Sequence, residues 1–227
     1  MITGYLALDP MALLRALPGN VAQGLIWGIM ALGVYITFRI LDFADLTVDG
    51  SLATGGAVAV MLIQSGMHPA VSLVFAFLAG MAAGFVTGFL HTALGIPGIL
   101  ASILTQISLY SVNLGIMGKA NQSIGLTQRN LVASSRYVTA DDSVFFFVKL
   151  VAGCLILVAV VYWLFGTELG SSIRATGCNP QMARAQGINT NFTKVIALMI
   201  SNGLVGLCGL YIITFYSQLN PHRHSQQ

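Results

Sequence analysis

The side chains of this sequence that could do chemistry stand in two settings. One is a set of polar residues inside long apolar runs: Gln23, Thr105, Gln106, Ser108, Asn113 and Asn202. A polar group facing hydrocarbon is costly, so each should face protein or a cavity. Thr105, Gln106, Asn113 and Asn202 are the candidates for lining a path for a polar solute; the competing reading is that they hydrogen-bond between helices. The other setting is the stretch ELGSSIRATGCNPQMARAQGINTNFTK, Glu168–Lys194. Asn179 is a strong helix cap and Pro180 is pre-set for a first helical position. Gly187 is a good stop. Between them lies a helix of about two turns, too short to stand alone, so it must dock on something. Arg174 and Arg184 flank it and are suited to an acidic or polar partner. Met182 and Ala185 give only a thin apolar face, too little for strong lipid anchoring. Ala183 is small enough to admit a partner's groove.

Other chemistry is missing from the pattern. There is no HExxH, no GxSxG and no GxxxxGK[ST] phosphate loop, so no catalytic constellation is expected, and ATP, if used, must bind another chain. Cys154, Cys178 and Cys208 show no CxxC spacing, and His68, His91, His222 and His224 sit near loops or in the tail; no metal or cofactor site is indicated. The basic residues form no run suited to nucleic acid. Asp49 is the nearest approach to an ionisable residue in a span, and it lies close to an end, which weighs against a proton-coupled secondary transporter.

The elements holding these residues follow from composition. Of 227 residues, 56% are hydrophobic and 7% charged, against about a quarter charged in soluble domains. The surface must largely face lipid. A span needs about 20 mostly apolar residues, and runs near 21–40, 46–63, 71–94, 99–117, 144–165 and 195–216 meet or approach that. The expectation is an all-α, polytopic transmembrane helix bundle of about six spans, one domain over 1–227, in a multi-pass membrane protein. Asp49, Gly50, Gly55 and Gly56 weaken the second run, and GIPG (Gly95–Gly98) precedes the fourth. These are either broken or re-entrant entries or ordinary interhelical turns. Gly80, Gly84 and Gly88 repeat the GxxxG spacing, as do Gly24 and Gly28, while Gly203, Gly206 and Gly209 form a three-spaced stripe; each predicts close helix packing. Loops 1–2, 3–4 and 5–6 should share one side. Arg39, Arg174, Arg184 and Lys194 on that side, against Arg15, Lys119, Arg129, Arg136 and Lys149 on the other, do not decide orientation. The N-terminus, with Asp9 where a basic region would be expected, does not read as a cleaved signal peptide.

The segment Gly170, Ile173, Arg174, Ala175, Gly177, Asn179, Ala183, Gly187, Ile188, Asn189 resembles the coupling loop of permeases of ABC importers, in the branch serving branched-chain amino acids, ribose and similar solutes. SNGLVGLCG (Ser201–Gly209), FADLTVDGSLATGGAVA (Phe43–Ala59) and IPGILASILT (Ile96–Thr105) are similar to other parts of that family. The resemblance implies a bacterial inner-membrane protein. It implies a cytosolic ATPase that binds the ATP and engages Arg174, Asn179, Pro180, Ala183, Arg184 and Gly187. It further implies an extracytoplasmic solute-binding protein and a second permease copy, in a system taking up a small solute such as an amino acid. It sets loop 5–6 inside. Family members continue with further helices, whereas this sequence stops after Tyr216 and a polar tail, so a truncated product is expected. A secondary transporter, a channel and a non-functional fragment are the competing readings.

Overall fold

The computed structural model describes residues 10–118 and 140–219, with side chains described within 20–118 and 151–212. Lys119, Arg129 and Arg136, and the tail with His222 and His224, lie outside the described residues. The elements are α1 (Pro10–Tyr35), continued by a π-helical turn (Ile36–Ile40), α2 (Val48–Gln64), α3 (Pro69–Thr92), α4 (Gly98–Met117), α5 (Ala140–Gly166), α6 (Glu168–Cys178), α7 (Pro180–Ala185) and α8 (Thr190–Leu219). The protein is an all-α helix bundle.

Among the described residues, four helical segments are long and apolar enough to cross a membrane: Asn20–Ile40, Ala70–Thr92, Gly98–Met117 and Thr190–Ile212. They match four of the six apolar runs. The described apolar part of the fifth, Val151–Gly166, turns by 75° into α6. The second is the 17-residue α2, about 25 Å long and so short of a full hydrocarbon core of about 30 Å.

α8 lies at the centre, packed on α1, α2 and α3. Glycine makes this possible. A Cβ on Gly80 would strike the carbonyl of Asn202, one on Gly84 the backbone of Leu198 and Met199, and one on Gly88 the Cα of Val195. The ascending order on α3 meets a descending order on α8, so the two run antiparallel with backbones in contact. α8 answers with Gly206 against Ala76 and Gly80, and Gly209 against Leu52 and Gly56. Without a hydrophobic drive between helices in lipid, such close packing is the main source of association. Gly24 and Gly28 behave differently: nothing lies within 4 Å of a Cβ at either. On α1 it is Gly33 that packs, against the Ser201 carbonyl and Val205, and Ser201 Oγ donates to the Gly33 carbonyl at 2.7 Å.

α2 is continuous through Asp49, Gly50, Gly55 and Gly56. Its glycines serve as seats: Gly50 for Leu109 and Gln106 of α4, Gly55 for Gly206 of α8. The irregular backbone lies just before it, at Asp42–Leu46. There the chain alternates, with Leu41, Phe43, Asp45 and Thr47 buried and Asp42 and Leu46 exposed. Non-helical backbone at such a position is tolerated because protein surrounds it. GIPG forms an interhelical turn, with Gly95 at φ +68° and α4 starting at Gly98.

The connections 41–47, 93–97 and 166–190 gather at one end. Phe43 meets His91 edge-on with ring centroids 5.1 Å apart, a Cβ on Gly98 would strike the Phe43 ring, and one on Gly177 would strike the Ile40 carbonyl.

Candidate functional site

α7 is closed at both ends by its own sequence. Asn179 Oδ1 accepts from the backbone N–H of Gln181 and of Met182, each at 3.1 Å, while Asn179 itself is extended at φ −155°. At the other end Gly187 stands at φ +84°. The Gly187 N–H bonds back to the Arg184 carbonyl and the Ile188 N–H to the Ala183 carbonyl, both at 3.0 Å. That pairing is the Schellman motif, which ties off the last carbonyls of a helix. The cap, the proline and the glycine stop all sit at the positions expected from the sequence. Ala183 does not face outward. It is 3% exposed, so its small side chain seats α7 on the bundle, and the expectation that it admits a partner's groove is corrected. Met182, 60% exposed, is the outward apolar side chain, with Gln181, Arg184, Ala185 and Gln186 also exposed.

The two arginines tie neighbouring elements together. Arg184 Nε donates to Thr190 Oγ1 at 2.7 Å, joining α7 to the first turn of α8. Arg174 Nη2 donates to the Phe165 carbonyl at 2.7 Å, across the bend between α5 and α6. The residues before α7 are helical rather than loop. α6 buries Gly170, Ile173 and Thr176, and the lack of a side chain at Gly170 and Gly177 lets it sit on Phe165 and Ile40. Nearby, Lys194 Nζ lies 3.3 Å from His91 Nε2, and His91 Nδ1 lies 2.9 Å from the Ile96 carbonyl. An ammonium only donates and a carbonyl only accepts, so Nε2 is placed as an acceptor toward Lys194 and Nδ1 as a donor toward Ile96.

One level into the bundle lies a buried polar knot centred on Asp45. Asp45 is 8% exposed and Asn202 fully buried. Asp45 Oδ2 accepts from Asn202 Nδ2 at 2.7 Å, and Oδ1 from the Thr47 N–H at 2.9 Å. Asn202 Nδ2 also donates to the Leu198 carbonyl at 3.0 Å, and Asn202 Oδ1 accepts from Ser51 Oγ at 2.5 Å. Thr47 and Thr87 pair their hydroxyls at 2.8 Å. Four parts of the chain, the 41–47 connection, α2, α3 and α8, thus share one hydrogen-bonded cluster. Every member has a partner, the condition under which such networks rigidify rather than weaken a core.

Among the path candidates, Asn202 belongs to this knot. Thr105, Gln106 and Asn113 lie on one face of α4, with Thr105 and Asn113 buried and Gln106 half-buried. Thr105 Oγ1 donates to the Ala101 carbonyl at 3.0 Å. Asn113 Oδ1, like Ser72 Oγ, is buried without a hydrogen-bond partner among the described residues. The structure does not bring the four candidates together. Asp45 was not among the residues singled out from the sequence. The apolar pattern gives no signal for it: Leu41 and Phe43 alternate inward, but beyond them the charged Asp45 is buried and the apolar Leu46 exposed.

Comparison with known proteins agrees with the helical bundle. Residues 19–226 match the family described as "Branched-chain amino acid transport system / permease component". The chain is 38% identical over 200 residues to the tyrosine transport system permease protein of Clostridioides difficile, covering 87% of this chain and 65% of that protein. It is 34% identical over 198 residues to an uncharacterized protein of Rickettsia prowazekii, covering 87% and 66%. It is 32% identical over 178 residues to the autoinducer 2 import system permease protein LsrC of Yersinia pseudotuberculosis, covering 75% and 46%. The chain therefore spans about two thirds of the length of the first two relatives and under half of the third. No solved structure matches it. With several apolar helices and a family match over nearly its whole length, this multi-pass membrane protein belongs to the permease family of branched-chain amino acid transport systems.

Proposed function

We propose that the chain forms the membrane path of an ATP-driven importer of a small solute in the bacterial inner membrane, and that α7 is where a separate cytosolic ATPase engages it. The single observation that carries this is the build of α7. It is six residues long, locked by the Asn179 cap and the Gly187 stop, and it faces outward with Met182 and Arg184. A helix this short cannot absorb a push by bending. Force on Met182 passes through the Arg184–Thr190 bond into α8, and through α6 onto Ile40 at the end of the first span. In this reading Arg174, Asn179, Pro180, Ala183, Arg184 and Gly187 hold and orient the element, and the ATP stays on the partner.

An extracytoplasmic solute-binding protein would deliver solute at the opposite face, and a second permease copy would complete the path. An amino acid is the solute class favoured by the relative named for tyrosine transport. The test is uptake of labelled tyrosine and other amino acids by cells carrying the chain with its transport partners, alongside recovery of the ATPase with the purified chain. Met182→Asp places an unpaired charge on the outward face, which is costly to desolvate at a contact. Uptake and ATPase recovery should fall together while membrane insertion is kept. Full uptake with Met182→Asp and with Gly187→Val would sink the coupling reading, and uptake confined to a solute that is not an amino acid would remove the substrate class.

A further inference from the structure

The outer face of α1 carries an open groove of about 540 Å³ whose walls include Trp27, Ala31, Val34, Tyr35 and Phe38, with Arg39 at one end. The π-helical turn shapes that end. Ile36 and Thr37 are buried by it, and Phe38 and Arg39 are exposed beside them. Arg39 has no hydrogen-bond or ion-pair partner among the described residues, and the exposed Asp42 does not pair with it. The groove is thus an apolar trough ending in one uncompensated cation.

Its length has a physical meaning. Trp27 and Arg39 are twelve positions apart, about 18 Å along a helix, and one leaflet of hydrocarbon is about 15 Å deep. Arg39 also stands at interfacial height. Its neighbour Ile40 is touched by Gly177 of α6, and α6 leaves the line of α5 at 75°, the course of a helix running along a membrane surface.

We propose that this groove holds an acyl chain of an anionic phospholipid whose phosphate rests on Arg39. A guanidinium matches a phosphate in shape and charge, and the apolar walls match a single chain one leaflet long. The assignment rests on the chain spanning a membrane and not on what it transports.

The protein contains its own reporter. Trp27 and Trp163 are the two tryptophans, so Trp163→Phe leaves Trp27 alone at the deep end of the groove. The chain carrying this change is placed in zwitterionic bilayers containing a minor fraction of either brominated phosphatidylglycerol or brominated phosphatidylcholine. Phosphatidylglycerol should quench Trp27 with an apparent affinity about fivefold the higher, the effect of one basic residue near a membrane surface. Arg39→Gln should bring the two lipids level and leave quenching by phosphatidylcholine unchanged. Salt gives a second reading that needs no substitution at Arg39, since raising ionic strength should shrink the preference. Equal quenching by the two lipids, a preference untouched by salt, or a preference that survives Arg39→Gln would overturn the assignment. So would the absence of quenching by either lipid, which would mean that protein, such as a second copy, covers this face.

Discussion

Two helices of this protein carry the same glycine spacing and put it to opposite use. On α3, Gly80, Gly84 and Gly88 lie against the bare backbone of α8, so closely that an added Cβ would overlap main-chain atoms. On α1, Gly24 and Gly28 face open space, on the side of the helix that also exposes Trp27 and Tyr35. Spacing alone therefore says which face of a helix is smooth, not which face is covered. The cover comes from the partner: α8 lays Asn202, Leu198 and Val195 against Gly80, Gly84 and Gly88 in turn, and Gly24 and Gly28 of α1 have no such counterpart among the described residues.

The comparison breaks most readily at its tight member. Gly84→Leu should cost about 3 kcal/mol or more, the upper range for overpacking where backbone cannot give way. Even Gly84→Ala should be felt, since its single methyl would meet the Leu198 carbonyl. Thermal unfolding in detergent measures both, and a Gly84→Ala protein as stable as the parent would mean that α3 and α8 sit further apart than described.

A second substitution probes the polar knot beside that interface. Asp45→Ala removes the acceptor for the Thr47 N–H and for Asn202 Nδ2, and leaving a buried donor unpaired costs about 1–3 kcal/mol. Ser51→Ala, which takes away one donor to Asn202, should cost less. If the order were reversed, the cluster would be organised around Asn202 rather than Asp45.

At the bundle's end, Asn179→Ala should cost about 1 kcal/mol, as for a typical lost helix cap. The loss should be local, read as faster amide exchange over 180–187 with little change in global unfolding. Protection that stays the same would show that docking, not capping, holds α7. The smallest effect belongs to the loose member of the glycine pair. Gly24→Leu and Gly28→Leu should each lie within about 0.5 kcal/mol of the parent, as for uncovered positions. A loss comparable with that of Gly84→Leu would reveal a partner seated on α1.

What the sequence disclosed follows from how local each feature is. The ends of α7 were legible because a cap and a glycine stop act within a few residues: Asn179 reaches Gln181 and Met182, and Gly187 reaches Arg184. The apolar runs were legible because lipid demands them. α6 was not, because ELGSSIRATGC contains two glycines and little that favours helix; those glycines instead let it pack, Gly170 on Phe165 five residues back and Gly177 on Ile40, the second a distant contact that no local pattern contains. On sequence alone α2 stays open between a broken or re-entrant entry and an ordinary turn, because its glycines are weak points in isolation and seats in the bundle. Asp45 was missed because an acidic residue in a connection ordinarily faces water. The path candidates were read from polarity alone, and polarity does not distinguish a residue facing a lumen from one, like Asn202, knotted into a core.

The Asp45–Asn202 bond joins residues 157 positions apart, and that separation has a consequence for synthesis. At about 5–20 residues per second, Asp45 is added to the chain roughly eight to thirty seconds before Asn202. Through that interval the first helices stand in the bilayer with an acidic group lacking its later partner, and the segment 41–47 has no reason to fold inward. The native arrangement of the early spans is therefore set by the arrival of a late one. Nascent chains arrested before residue 202 and carrying Asp45→Cys should be open to a water-soluble thiol reagent, and released chains closed to it; equal labelling in both would show that the early helices settle on their own.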